Sequence, residues 1–324
     1  MVTVENANHN LNRRGKLSFI LGVLILILLF GYAVFKITPP IDSDPQKIKV
    51  ITTLFPLYDF AKNIGQDKIE VYLLLPPGVE AHAFEPKPSD LAKINEADIF
   101  IYTGKFMEPW VEDILKSIAN QDLIIIDASQ SAQMITGVFN DKNEPIGLID
   151  PHIWLDFDND KMIVETITKA LSARDPNNSD YYKQQAIDYQ NKLIALDAEY
   201  RISLANCLSR EIIYGGHYAF GYLANCYQLK YLAAQGVSPD SEPTAQDLIR
   251  LVEQIKKNDI KYIFYEELTT AKIAETLTEE TETKMLLLNA AHNITKTDFE
   301  NGISFFDIMA ENLANLKIGL QCQK

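Results

Sequence analysis

Five histidines occur in the 324-residue chain, and four of them, His82, His152, His217 and His292, follow segments that read as β-strands. Imidazole nitrogen is a good ligand for zinc, copper, nickel and ferrous iron. Four neutral imidazoles can close a tetrahedral shell at ~2.0–2.1 Å, the geometry of Zn2+. A closed shell leaves no position for water, so this set favours holding a metal over metal-assisted hydrolysis. Enzyme signatures are missing: the chain has no H-E-x-x-H, no G-x-S-x-G elbow, no P-loop and no G-x-G-x-x-G. An acid–base pair of His152 and Asp156 is the thin catalytic alternative. The cysteines Cys207, Cys226 and Cys322 form no C-x-x-C, which argues against a thiolate metal site or a redox motif. Their number allows one pair and one free thiol, and a Cys207–Cys226 bond is left open.

The elements that must position these histidines are legible from hydrophobic patterning. Apolar runs at 49–55, 68–75, 98–102 and 123–127 lack polar alternation, as strands buried on both faces do. Helical patterns at 58–64, 88–95 and 109–119 lie between them. The second half repeats this, with strands at 211–214, 230–233, 262–265 and 285–289 and helices at 220–227, 244–257, 270–281 and 305–318. Ser304 and Thr244 stand where N-caps belong. This βα alternation predicts α/β architecture, two parallel-sheet lobes. Between them, residues 180–205 contain no Gly or Pro and carry apolar residues at helical spacing. They predict one long rigid helix of about 37 Å, stiffer than a loop hinge, and little lobe closure. Ligands of α/β sheets gather outside the carboxyl ends of strands. All four histidines fall on that edge, two from each lobe.

The N-terminus is of another kind. Residues 17–35 are uninterrupted by charge, and Arg13, Arg14 and Lys16 precede them. A secretory h-region takes ~7–15 residues and a bilayer core ~17–25. The segment therefore reads as an uncleaved transmembrane signal anchor over 17–37, in preference to a cleaved signal peptide or a core helix. Its basic flank puts residues 1–16 in the cytoplasm and the rest outside. A Pro-containing linker follows over 38–47, then the first metal-binding lobe over 48–178, the connecting helix over 179–207 and the second lobe over 208–324. The formal net charge of −14 argues against nucleic acid as a partner. A monomer is expected.

Several stretches carry a family resemblance. They are Phe55-Pro-Leu-Tyr-Asp59, Gly78-Val-Glu-Ala-His82-Ala-Phe-Glu-Pro86, Asp150-Pro-His152-Ile-Trp-Leu-Asp156, Gly216-His217-Tyr-Ala-Phe-Gly-Tyr222 and Tyr262-Ile-Phe-Tyr-Glu-Glu267. With Gly236–Pro243 and 305–313 they resemble, in order over about 50–320, the zinc/manganese solute-binding proteins of bacterial ABC importers (cluster A-I), nearest the zinc-type, adhesin-like branch. The resemblance implies two α/β lobes joined by one long helix, with the metal between them and His82, His152 and His217 as ligands. Manganese-type relatives carry a carboxylate at the position of His217, and nitrogen there favours Zn2+ over Mn2+. Zinc-type relatives often carry Glu where this chain has His292, so the fourth ligand is a substitution of type; Asp298 or water is the alternative, with Glu266 and Glu267 behind them.

The His-rich loop of many relatives has no counterpart here, since residues 134–149 hold no histidine. The implied function is an extracytoplasmic receptor that captures Zn2+ and delivers it to an ABC importer permease. The other readings are an adhesin with a structural metal and a manganese receptor. Each imidazole must be neutral to bind, so affinity is expected to fall below pH ~6.5. Trp154, Tyr218 and Phe220 read as packing residues, Trp110 as a residue that could line the site, and Asp156 as an acceptor for an imidazole N–H.

Overall fold

The computed structural model describes residues 47–136, 148–237, 243–268 and 271–323. The expected anchor over 17–37 lies outside them. Among the described residues no helix is long and apolar enough to cross a membrane.

The first lobe runs β1 (Ile48–Thr52), α1 (Phe55–Gly65), β2 (Ile69–Leu73), α2 (Pro88–Asn95), β3 (Ile99–Tyr102), α3 (Val111–Ser117) and β4 (Ile124–Asp127). Its strands are parallel, in the order β2-β1-β3-β4. Two helices follow, α4 (Phe157–Arg174) and α5 (Ser179–Ala205). The second lobe continues with β5 (Glu211–Tyr214), α6 (Gly221–Cys226), β6 (Lys230–Ala233), α7 (Ala245–Lys257), β7 (Tyr262–Tyr265), α8 (Lys272–Thr281), β8 (Lys284–Leu287), α9 (Lys296–Glu300) and α10 (Phe305–Gly319). Its sheet repeats the arrangement as β6-β5-β7-β8, again parallel.

Alternation along the buried strands splits their side chains between two faces. On β3, Ile99 and Ile101 enter the large central core, while Phe100 and Tyr102 pack on the other side against Ile94, Val111 and Leu123. On β5, Ile212 and Tyr214 face the central core and Ile213 faces Leu251, Ile255 and Leu277. Both faces are covered, which is why these strands read as continuous apolar runs.

The lobes are joined more firmly than one helix would join them. Sequence patterning singled out 180–205 and left 157–174 unassigned, yet α4 packs along α5 and doubles the connection. Asp156 caps α4, its carboxylate accepting from Asp158 N. The inner face of α5 carries Tyr182, Ala186, Tyr189, Leu193, Leu196, Tyr200 and Leu204. Its three tyrosine hydroxyls are all used: Tyr182 donates to Asp175 at 2.9 Å, Tyr189 to Asp59 on α1 at 2.8 Å, and Tyr200 to Met309 O on α10 at 2.6 Å. A buried hydroxyl left without a partner costs about 1–3 kcal/mol, so these bonds fix the rotation of α5 against both lobes. Phe60 of α1 meets Phe305 of α10 edge-on at 5.3 Å. Burial pushes the Asp59 carboxyl up to about 6, against the Tyr189 hydrogen bond that lowers it.

The cysteine pairing differs from the one left open by the sequence. Cys207 bonds Cys322, and Cys226 is the free thiol. Local backbone bonds bring the ends together: Ser209 N donates to Leu320 O at 3.0 Å and Gln323 N to Asn206 O at 3.0 Å. The bridge staples the C-terminus of α10 to the entry of β5 across a separation of 115 residues. Closing a loop of this length stabilises by about 5 kcal/mol in the chain-entropy account, with about 2–4 kcal/mol typical of such bridges. Thermal unfolding should therefore shift down by several degrees for Cys322→Ser or on full reduction, and not for Cys226→Ser. Equal melting temperatures with and without reductant would show that the bridge contributes nothing.

Candidate metal centre

In both lobes the sheet order places the first strand beside the third, so the chain reverses its direction of travel at that pair. The crevice outside the carboxyl ends of two such strands is where open α/β sheets bind ligands. In the second lobe the pair is β5 and β7, with Tyr214 in register with Phe264. Three residues beyond Tyr214 stands His217, and two beyond Phe264 stands Glu266. His217 Nδ1 lies 2.8 Å from Glu266 Oε1. Gly216 makes this approach possible, because a Cβ there would sit 2.7 Å from Glu266 Oε2 and 2.7 Å from the Tyr214 ring.

His152 is built in a parallel way. Asp150 Oδ1 accepts from His152 N at 3.0 Å and lies 2.8 Å from His152 Nδ1. The Asp150 carbonyl accepts from Tyr222 OH at 3.1 Å. Its second carboxylate oxygen leans on Gly221, where a Cβ would come within 2.3 Å. Trp154 donates its indole N–H to Ala290 O at 2.7 Å, tying this loop to the second lobe.

His82 sits on the β2–α2 loop, where Glu80 accepts from His82 N at 3.0 Å and from Ala83 N at 2.8 Å. The loop bearing His292 is clamped to it across the lobes. Asn293 donates to Pro76 O at 2.8 Å and to Val79 O at 2.6 Å, and Gly78 N donates to Ile294 O at 2.8 Å. Before His292, buried Ala291 holds φ at 58°, the left-handed region that residues with a Cβ rarely occupy.

Three of the four predicted histidines therefore converge, and His292 lies beside them. One ring nitrogen each of His82, His152 and His217 lies within 4.8 Å of the others. The His292 ring centroid is 5.9 Å from that of His217 and 6.3 Å from that of His82. His152, His217 and His292 are fully buried, and His82 is half-buried. His152 Nε2 and His217 Nε2 face each other at 3.2 Å. In the tautomer with the hydrogen on Nδ1, facing the carboxylate, each Nε2 presents a lone pair. Two lone pairs at that distance repel unless a cation or proton lies between them. Two ligands of a tetrahedral zinc stand about 3.4 Å apart, given bonds of ~2.1 Å. Among the described residues, neither ring nitrogen of His292 has a hydrogen-bond partner, nor has His82 Nε2.

Burial, reinforced by the positive potential of neighbouring imidazoles, depresses His82 and His152 well below the ordinary imidazole range. Burial also brings His292 down to about 4, with Glu266 opposing. Glu266 is raised by its own burial, but His217 and His292 beside it bring it below the usual carboxylate range. The Asp150 carboxyl is pushed up to about 8 by burial, against the His152 N–H that lowers it.

Asp156 does not act as the imidazole acceptor expected of it, since its carboxylate caps α4; Asp150 and Glu266 take that role. The available signals were an Asp two residues before His152 and a Glu ending the strand beside β5. Trp110 turns to Phe84, at 6.0 Å, and packs in the outer core of the first lobe. Asp298 uses its carboxylate on Thr295, at 2.6 Å, at the start of α9. Tyr218 and Phe220 are buried in the core, as expected.

Residues 50–319 match the family described as zinc-uptake complex component A, periplasmic. The high-affinity zinc uptake system protein ZnuA of Bacillus subtilis is 36% identical over 286 residues, covering 86% of this chain and 89% of that one. The zinc-binding protein AdcA of Streptococcus pyogenes is 33% identical over 84% of this chain, which spans only 56% of AdcA. The Zn(II)-bound ZnuA-like domain of Streptococcus pneumoniae AdcA superposes with a TM-score of 0.73 at 35% identity, over 85% of this chain and 99% of that domain. This chain belongs to the zinc-uptake component A family, the metal-binding receptors of ABC importers and not enzymes.

Proposed function

We propose that this chain captures Zn2+ outside the cytoplasm on His82, His152, His217 and His292 and hands it to an ABC permease, tethered by residues 17–37 as a transmembrane anchor. The observation that carries the reading is the pair of Nε2 atoms 3.2 Å apart, each backed by a carboxylate on its Nδ1. That arrangement fixes ring tautomer and orientation and raises the basicity of each ligand. Four imidazoles bring no charge of their own, so a divalent ion would be compensated one bond further out, by Asp150 and Glu266. A buried cation without such partners is expensive, and the cation in turn favours ionised Asp150. Nitrogen-only ligation favours zinc over manganese, whose preference is for oxygen. A disulfide between Cys207 and Cys322 supports an oxidising, extracytoplasmic location.

Competitive titration against a chelator tests the site. His217→Ala should weaken zinc binding by orders of magnitude and His292→Ala by about 10–100-fold, with circular dichroism unchanged. An affinity indifferent to His292→Ala would remove it from the ligand set. Unfolding of the native protein on chelation would favour a structural metal in an adhesin over a releasable cargo.

The pH dependence should differ from that of free imidazole. A depressed pKa means that protons compete poorly with the metal. Corrected for the chelator's own protonation, zinc affinity should fall gradually below about pH 8, where Asp150 must lose its proton to stand ionised beside the cation, and fall further as the pH approaches 4, where His292 takes up its proton. An affinity that stays level from pH 8 to 6 would contradict the raised Asp150 carboxyl.

A further inference from the structure

Two of the four rings are held by carboxylates and two are not. Asp150 and Glu266 face Nδ1 of His152 and of His217 at 2.8 Å. Among the described residues, both nitrogens of His292 and Nε2 of His82 have no hydrogen-bond partner. These two rings are placed by the backbone that carries them, and that backbone belongs to loops of opposite lobes.

The contact between the two loops runs through one side chain. Pro76, Pro77, Gly78 and Val79 form a β-turn closed by Val79 N on Pro76 O at 3.1 Å, with Gly78 at φ 86° in the third place, as a type II turn requires. Asn293, next to His292 and fully buried, spends both amide hydrogens on this turn: Nδ2 donates to Pro76 O at 2.8 Å and to Val79 O at 2.6 Å. Its Oδ1 accepts from Ile294 N at 2.9 Å, so both ends of the amide are engaged. Only Glu80 and Ala81 separate the turn from His82. Ala81 is buried in the core, and the Glu80 carboxylate accepts from His82 N and Ala83 N, so little slack remains between turn and ring. The other end of the contact is equally fixed. Asn312 Nδ2 of α10 donates to Asn289 O at 2.7 Å, and Asn289 Oδ1 accepts from Ala291 N at 2.7 Å.

We propose that Asn293 is the positioning residue for His82. Held on the second lobe, it grips the turn of the first lobe and so sets His82 within reach of a metal on the other three rings. It acts through the backbone and not as a ligand. This role presupposes the four-histidine site proposed above. An amide suits it because it brings two N–H groups to two carbonyls. An aliphatic side chain would leave both carbonyls without that donor and the turn held to the second lobe only by Gly78 N on Ile294 O.

A double-mutant cycle on zinc affinity tests this, with the full chain in an uncharged detergent and circular dichroism as the check on folding. Asn293→Ala should raise the zinc dissociation constant about tenfold. Asn293→Ser, which keeps one donor and fills part of the space, should raise it less, and it carries the test if the alanine variant does not fold. His82→Ala should weaken binding on its own. Adding Asn293→Ala to it should cost nothing further, because no ring is left for the contact to place. With Co2+ in place of Zn2+, Asn293→Ala should weaken the visible absorption of a four-coordinate ion, as His82→Ala does. A loss of stability alone would not change that spectrum. Native affinity in both Asn293 variants would overturn the proposal. So would losses that add in the double variant, which would show that Asn293 acts on something other than His82. Native affinity in His82→Ala would also overturn it, but as a failure of the four-histidine site and not of the contact.

Discussion

The site depends on two buried carboxylate–imidazole pairs. Asp150 and Glu266 each hold the Nδ1 of a histidine at 2.8 Å, and so turn the remaining nitrogens of His152 and His217 toward each other. Both carboxylates are removed from solvent; the imidazoles beside Glu266 outweigh the cost of its burial, whereas Asp150 stays raised. The same pairs that orient the rings also supply negative charge next to the place where a cation is to sit. Gly216 and Gly221 are small because the carboxylates need the space a Cβ would fill.

These pairs stay in place because each rests on a strand end or on a loop tied across the lobes. Glu266 follows β7 and His217 follows β5, and parallel pairing of the two strands brings them together. Asp150 and His152 come from a loop outside the first sheet, bound to the second lobe through Tyr222 and Trp154. Asn293 and Gly78 lock the His292 and His82 loops to each other. With α4 beside α5 and the tyrosines of α5 bonded into both lobes, the whole resists large rigid-body opening. His82 is the half-buried ring of the four, nearest solvent.

Much of this was present in the linear pattern. Buried parallel strands leave apolar runs without alternation, so their positions were legible to within a few residues, and a Gly- and Pro-free stretch between them announced α5. The helix α4 escaped because its buried positions include Asn159, Asp160 and Thr168, which dilute its apolar periodicity. The histidines stood out because imidazoles after strand ends are rare and chemically specific.

Sequence by itself determined the α/β class, the two lobes, the four histidines and their preference for nitrogen-binding metals, because these follow from residue type and local periodicity. Tertiary structure alone decided which carboxylates back the rings, which cysteines pair and which loops meet across the lobes. Asp150 stands two residues before His152 and Asp156 four after it, and only the loop's path turns one to the ring and the other to a helix N-terminus. Cys207 finds Cys322 rather than Cys226 because the last helix returns its end to the start of β5, a proximity that spacing along the chain does not encode.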